Sequence, residues 1–449
     1  MRIAITTLGC KINQYDSAVI QNRLEQNHSF VRFEEPADCY IINTCTVTDR
    51  ADWEARQLVR RLRRRSPDAK VVVTGCYAQV NPEEVALVPG VDYVVGLNRL
   101  DDLVQFVDRP QDGDVRITVS DVRRERRVSV LGTRALPGHT RAFLKIQEGC
   151  NYSCTYCIIP TARGLSRSVT PREVLEQVGM LAEAGYKETV LTGIHLGSYG
   201  QDLTPKVDLA ALLEMIARSR LMLRVRLSSL DPREVPDRLL DLIASSDVIC
   251  PHLHVCAQAG DDEILKQMRR NYNGGYYRDL LMKVRERLPD AALGSDIIVG
   301  FPGETDQAFD RSLEFFAGLP LTYFHVFPYS SRRGTMAASL PDHVGNEVKK
   351  TRARKMRELG AVKKRDFCLR FKARKLSVLV EEKLDRATNR HRGFSRNYLP
   401  VLVSMGETLV NREIEVEVEG FDDGWLKAAP LTIASAPITS EGEFASNAG

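Results

Sequence analysis

The strongest constraint on this chain is a repeating beat. From Arg2 to about Tyr329, short apolar runs of strand length alternate with longer stretches of helical period. Parallel strands need a crossover and a helix supplies it, so this alternation argues for an α/β fold of parallel sheets covered by helices. Over residues 1–110 strands are expected at 2–8, 39–43, 71–74 and 93–95, with helices near 17–26, 52–65 and 82–88. A polar connection follows, from 110 to about 139, with room for a strand or two of its own and a basic run at Arg123, Arg124, Arg126 and Arg127. The beat then resumes more slowly. Strands are expected at 142–147, 189–192, 224–228, 252–255, 296–299 and 323–327, with helices near 171–184, 209–218, 236–244, 262–269 and 305–317. Six such beats suggest a partial (β/α)6 barrel, since a closed one needs eight. Beyond a basic helical stretch, runs at 376–380, 399–403, 413–418 and 425–428 read as strands of a small β-barrel. The tail from 437 to 449, rich in Ser, Gly, Ala and Glu, is expected to be disordered.

Cysteines carry the chemistry. No run approaches the roughly 18–20 apolar residues of a membrane span. The first residues read as a strand rather than as a secretory leader. A cytoplasmic, reducing location is therefore expected, where patterned cysteines are metal ligands or catalytic groups more often than disulfides. Cys150, Cys154 and Cys157 are spaced C-x3-C-x2-C directly after the first strand of the barrel segment. That position is the C-terminal mouth, where such barrels assemble active sites. Three thiolates on one loop can hold three irons of a 4Fe–4S cube and leave the fourth open, whereas a zinc site would want a fourth ligand from elsewhere. Cys10, Cys45 and Cys76 are scattered in sequence, yet each follows one of the first three strands. Ends of neighbouring parallel strands converge on one crevice, so these three form a second triad for a second cluster. Cys39, Cys250, Cys256 and Cys368 lack matching partners and read as core residues.

Charge is unevenly spread. Residues 349–375 hold 13 Lys or Arg against Glu358 and Asp366, a local +11, so the rest of a chain of net charge +4 carries −7. A basic block in an otherwise acidic chain suggests a polyanionic partner. In the small β segment Arg390, Arg392, Phe394 and Arg396 mix cations with an aromatic ring, a combination suited to phosphates and exposed bases.

These residues resemble the methylthiotransferase family of radical-SAM enzymes over nearly the whole chain. Leu8-Gly9-Cys10-Lys11-Ile12-Asn13, Asn43-Thr44-Cys45 and Thr74-Gly75-Cys76 match its N-terminal auxiliary-cluster domain, and Cys150 to Cys157 its radical-SAM loop. The segment from about 372 to 430 resembles its TRAM domain, an RNA-binding β-barrel. The resemblance implies a methylthiotransferase domain at 1–110, a radical-SAM domain at 136–366 and a TRAM domain at 370–434. It also implies two 4Fe–4S clusters, S-adenosylmethionine (SAM), an external electron donor, a sulfur donor and a tRNA anticodon loop as substrate. Lys11 and the run from Leu191 to Gly200 look like the branch that methylthiolates C2 of N6-threonylcarbamoyladenosine at tRNA position 37. Branches acting on isopentenyl-adenosine or on a ribosomal protein are the alternatives, and a non-catalytic iron–sulfur RNA-binding protein is the alternative of another class. By the same resemblance SAM would sit at the open iron of the contiguous triad. Tyr156, Gly193, His195, Arg226, Ser228, Val299 and Gly300 are then its candidate contacts.

Overall fold

A computed structural model describes residues 1–109, 115–128, 139–404 and 409–432 of the chain, and the expected tail at 437–449 lies outside them. The chain forms two compact units, Met1–Phe367 and a second that begins at Cys368.

The first unit opens with a wholly parallel sheet of β1 (Arg2–Thr7), β2 (Ser29–Phe30), β3 (Cys39–Thr44), β4 (Lys70–Gly75), β5 (Tyr93–Val95) and β6 (Arg116–Thr118). Their order is β2-β1-β3-β4-β5-β6, so the strands preceding Cys10, Cys45 and Cys76 are immediate neighbours. β3 and β4 are buried along their whole length, as a central parallel strand covered on both faces must be. Two details differ from the sequence expectation. The helix expected at 17–26 begins at Lys11, with Cys10 as its cap, and runs to Leu24. The helix expected at 82–88 is present as Pro82–Ala86, and an unexpected short one, Cys76–Val80, precedes it; the two are separate because Pro82 has no N–H to continue the first.

The rest of the unit is an open barrel. β7 (Arg141–Glu148), the two-residue β8 (Arg167–Ser168), β9 (Glu188–Gly193) and β10 (Arg224–Leu227) form one sheet, with β8 antiparallel at its edge. β11 (Ser229–Leu230), β12 (His252–Val255), β13 (Ala292–Val299) and β14 (Tyr323–Pro328) form the other. β10 and β11 are one strand broken at Ser228: its first half pairs with β9 and its second with β12. The six expected beats are therefore present. A helix at Gly274–Arg287, hidden from sequence reading behind its two leading glycines, adds to the outer layer. The N-terminal segment shares the barrel's core, because Tyr15, Ala18 and Val19 of helix Lys11–Leu24 pack into the same buried cluster as β7 and β9.

The second unit is a closed barrel of β15 (Lys375–Leu384), β16 (His391–Ser395), β17 (Pro400–Val403), β18 (Glu413–Asp422) and β19 (Trp425–Thr432), in the order β15-β16-β17-β19-β18. β16 was not expected as a strand; it contains Arg392 and Phe394.

Candidate active site

Cys10, Cys45 and Cys76 stand at the C-terminal tips of β1, β3 and β4. Thr7 pairs with Asn43 and Asn43 with Thr74, so the three tips lie level. A buried amide lacing fixes the turns: Asn13 Nδ2 donates to Asn43 Oδ1 and to Thr44 O, both at 3.0 Å. Asn43 Nδ2 returns a bond to Asn13 O at 2.8 Å. Cys10 Sγ lies 3.2 Å from Asn13 Oδ1, so the first cysteine is tied to the same lacing. Gly75 is required before Cys76, since its φ is +95° and a Cβ there would sit 2.3 Å from Thr44 O. Burial pushes the Cys76 thiol up to about 12, and the neighbouring Arg163 opposes it. Cys39, at the opposite end of β3, is fully buried in the core.

Cys150, Cys154 and Cys157 follow β7 on one loop. Gly149, at φ +74°, makes the turn in a space where a Cβ would lie 2.0 Å from Leu165 O. The loop is pinned from outside: Thr155 N and Oγ1 donate to Met268 O and Gln267 O at 3.2 and 2.9 Å. Arg270 donates to Cys154 Sγ at 3.2 Å while its other nitrogens hold Asp231 and Tyr272. The His195 ring lies beside Cys150 and 2.7 Å from Glu234 Oε1. Burial works against charging that ring, but Cys150 and the Glu234 carboxylate beside it outweigh burial and lift His195 to about 10. Burial raises the Cys157 thiol to about 12.

Two clasps join the triads' neighbourhoods. Arg163, six residues after Cys157, is buried and donates to Cys76 Sγ at 3.3 Å. On the other side Arg332, in the loop after β14, donates to Thr46 Oγ1 at 2.8 Å and pairs with Asp49 and Asp52. Ser330 Oγ, in that same loop, accepts Asp49 N at 2.9 Å. The loop containing Arg332 thus grips the segment after Cys45.

The remaining expected contacts divide. Gly193 ends β9 against Gln147, whose amide donates to Gly149 O at 2.7 Å and whose oxygen accepts His195 N at 2.8 Å. Ser228 lies at the strand break, and its buried hydroxyl has no hydrogen-bond partner among the described residues. Tyr156 packs on the barrel core beside the triad. Val299 is buried at the end of β13, and Gly300 N–H donates to Glu304 Oε2 at 2.6 Å, a turn that Arg352 locks at 2.7 Å. Arg226 stands apart from this group, inside the barrel, where it and Arg224 share the fully buried Glu188 at 2.7 and 2.9 Å. A polar cluster on β12, β13 and β14 also stands here. His254 Nε2 and His325 Nδ1 meet Asp296 Oδ1 at 2.9 and 3.1 Å, and Tyr323 OH touches His252 Nε2 and His254 Nδ1 at 2.8 and 3.1 Å. Burial opposes the Asp296 charge, yet His254 and His325 hold its carboxyl well below the usual range.

In the second unit the expected RNA contacts are internally paired. Arg396 forks onto Glu413 at 2.7 and 2.8 Å, Arg392 reaches Asp385 at 3.1 Å, and Arg390 lies 3.5 Å from Glu419. Phe394 stacks on Tyr398, centroids 5.1 Å apart, with Trp425 alongside at 6.2 Å.

Sequence reading missed Arg163 and Arg270, and Asp16 and Glu148 that anchor the first of them. One signal was available: Arg163 interrupts the otherwise uncharged run Ile158-Ile159-Pro160-Thr161-Ala162 before Gly164, a setting in which a charge survives only if partnered.

The donor set fits iron–sulfur chemistry. Each triad is free of disulfides, sits at strand C-termini and has a buried N–H donor on a sulfur. Residues 144–316 match the Radical SAM superfamily and residues 2–96 the uncharacterized protein family UPF0004. A Bacillus subtilis protein named threonylcarbamoyladenosine tRNA methylthiotransferase MtaB is 39% identical, covering 93% of each chain. An Aquifex aeolicus protein of the same name is 38% identical over 89% of this chain and 96% of its own. A Carboxydothermus hydrogenoformans protein named tRNA-2-methylthio-N(6)-dimethylallyladenosine synthase is 33% identical over 92% and 96%. Among solved structures the radical SAM methyltransferase TsrM of Kitasatospora setae, with cobalamin and a [4Fe-4S] cluster bound, superposes with a TM-score of 0.55. At 18% identity over 75% of this chain and 77% of its own, it supports the fold alone. With two relatives so similar end to end and a superfamily match that includes the Cys150 loop, the chain belongs to the radical-SAM tRNA methylthiotransferases, transferases that use SAM and 4Fe–4S clusters.

Proposed function

We propose that this enzyme places a methylthio group on C2 of N6-threonylcarbamoyladenosine at position 37 of tRNA. The observation that carries the reading is the pairing of two cysteine triads on one continuous body, clasped by Arg163 and Arg332. In this reading Cys150, Cys154 and Cys157 hold the cluster that binds SAM, and Cys10, Cys45 and Cys76 hold the auxiliary one. When bound, these groups supply an electron, a 5′-deoxyadenosyl radical and the sulfur to be transferred.

The protein's share is placement. Arg270 directs an N–H group at a sulfur of the contiguous triad and is steadied by Asp231, while His195 lies beside Cys150 against Glu234. The unpartnered Ser228 hydroxyl offers a hydrogen bond to SAM or substrate, and the polar barrel lining receives the modified base. The functional divisions are 1–110, 136–366 and 370–434, the last binding RNA as a TRAM barrel. There Phe394, Tyr398 and Trp425 supply stacking faces, because the arginines around them are already paired. The anticodon loop, an external electron donor and a sulfur donor are the partners. No helix among the described residues is long and apolar enough to cross a membrane, in keeping with a cytoplasmic enzyme.

Threonylcarbamoyladenosine is favoured over isopentenyl-adenosine because relatives named for it reach 39% identity, against 34% for the others. Mass spectrometry of tRNA nucleosides, with and without the enzyme, tests both. The expected result is the 2-methylthio derivative of threonylcarbamoyladenosine. Appearance of the isopentenyl product alone would move the enzyme to the other branch, and an unmodified tRNA pool beside a modified ribosomal protein would overturn the reading.

A further inference from the structure

Arg163 is joined by three other charged side chains in a closed ring. Its Nη1 donates to Asp16 Oδ2 at 2.8 Å and to Glu148 Oε1 at 3.0 Å, while Lys145 Nζ takes Asp16 Oδ1 and Glu148 Oε2, both at 2.6 Å. The side chains of Arg163, Lys145 and Glu148 are 1, 9 and 9% exposed, and Asp16 is 16%. Two cations and two anions alternate, so the ring is neutral. It leaves Arg163 with two N–H groups pointing elsewhere: Nε at Cys76 Sγ, 3.3 Å away, and Nη2 at Asn13 Oδ1, 3.2 Å away. Asn13 is the residue that Cys10 touches and that laces the β3 tip.

The four ring members come from both sides of the catalytic body. Asp16 lies on the helix that Cys10 caps; Lys145 and Glu148 lie on the strand that delivers Cys150; Arg163 ends the short helix after Cys157. One guanidinium therefore reports the position of the contiguous loop to the sulfur of Cys76. We propose that Arg163 is a positioning residue for sulfur transfer: it holds the Cys10/Cys45/Cys76 group in register with the Cys150 loop and hydrogen-bonds its Cys76 sulfur. This rests on the reading that those three cysteines hold a cluster.

The test uses the full chain reconstituted anaerobically, in two backgrounds. In a C150A/C154A/C157A chain, which isolates the auxiliary site, the electron paramagnetic resonance spectrum and midpoint potential are compared between Arg163 and Arg163→Lys. Lysine keeps the charge of the ring but cannot also direct a fixed N–H at sulfur. Hydrogen bonds to cluster sulfurs favour the reduced, more negative state, so the potential is expected to fall. In the otherwise unaltered enzyme, methylthiolated tRNA is measured against 5′-deoxyadenosine. The Arg163→Lys ratio is expected to drop at least tenfold. A second pair, Arg163→Met with and without Asp16→Asn, controls for folding, because Asp16→Asn restores a neutral site. The neutral pair should fold and bind iron yet show the same low ratio. A folded Arg163→Lys chain with unchanged spectrum, potential and ratio overturns the proposal, as does an equal fall in both products. Absence of iron from the C150A/C154A/C157A chain with Arg163 intact would instead overturn the reading of the triad.

Discussion

Arg332→Met removes the clasp between the loop after β14 and the segment after Cys45, and its cost can be worked out partner by partner. Asp49 is 71% exposed, so its pair with Arg332 contributes about 0–1 kcal/mol. Asp52 is different: its side chain is 7% exposed, and it keeps only the Thr46 hydroxyl once the guanidinium is gone. Stranding a buried charge costs about 3–5 kcal/mol, which sets the size of the effect. For a unit of this length each kcal/mol lowers the melting temperature by about 1.3 °C, so a drop of about 4–6 °C is expected by calorimetry. The pH dependence has a definite sign. Burial already raises the Asp52 pKa above its unfolded value, with Arg332 pulling it back. A carboxyl that binds its proton more tightly when folded is destabilising at high pH and relieved as pH falls. Removing Arg332 raises it further, so the deficit is largest at alkaline pH and narrows toward pH 5. Arg332→Met with Asp52→Asn should recover most of the loss. A deficit under 1 kcal/mol, or one that is flat from pH 8 to 5, would refute the reasoning.

Three further expectations concern different parts of the molecule. Gly75→Ala forces a Cβ to within 2.3 Å of Thr44 O at φ +95°, and should destabilise by about 1–3 kcal/mol and cost about half the bound iron; Gly318→Ala, with open space around it, should do neither. Glu188→Gln strips the counter-charge shared by Arg224 and Arg226 and should cost about 3–5 kcal/mol by denaturant titration, with no new ligand effect. Arg60, Arg61 and Arg64 are exposed on helix Asp49–Arg65, whereas Arg56 and Arg63 are tied to Glu84 and Asp92. Replacing those three with Ala should weaken tRNA binding and reduce the log–log salt slope by about 2, read by filter binding at several salt concentrations.

Much of this was legible in the sequence because it is governed by local pattern. Strands 252–255 and 93–95 fall where periodicity puts them, and the six barrel beats follow from strand length and crossover alone. The scattered triad became visible only when strand ends were aligned, since a parallel sheet turns sequence-distant positions into neighbours. What stayed hidden is long-range and electrostatic. Asp16 and Glu148 are 132 residues apart, and Arg332 lies 280 from Asp52, so no window of sequence pairs them. Likewise β16 escaped notice because its run His391-Arg392-Gly393-Phe394-Ser395 has cations and a glycine where a strand signal wants β-branched residues; closure of the barrel overrides that weak propensity. Arg226 likewise has a partner that no local pattern reveals, the buried Glu188 on the neighbouring strand.

The buried cations beside the cysteines share one arrangement, and it leads to a final expectation. Arg163 is answered by Asp16 and Glu148, Arg270 by Asp231, and His195 by Glu234. Stability alone does not explain these pairs, because apolar residues of equal volume commonly stabilise a core as well or better. What each carboxylate adds is direction and neutrality: it aims an N–H at sulfur while cancelling the positive charge that would otherwise sit against an anionic cluster. If so, Asp231→Asn should leave Arg270 pointing at Cys154 but uncompensated. Its net charge would then favour the reduced state, and the midpoint potential of the cluster proposed at Cys150, Cys154 and Cys157 should rise, by spectroelectrochemistry. Asp231→Asn combined with Arg270→Gln removes both charges together with the N–H on Cys154, and should bring the potential back to its starting value or below it. A potential that falls in the single variant, or that stays raised in the pair, would mean that the carboxylate serves only to hold the loop.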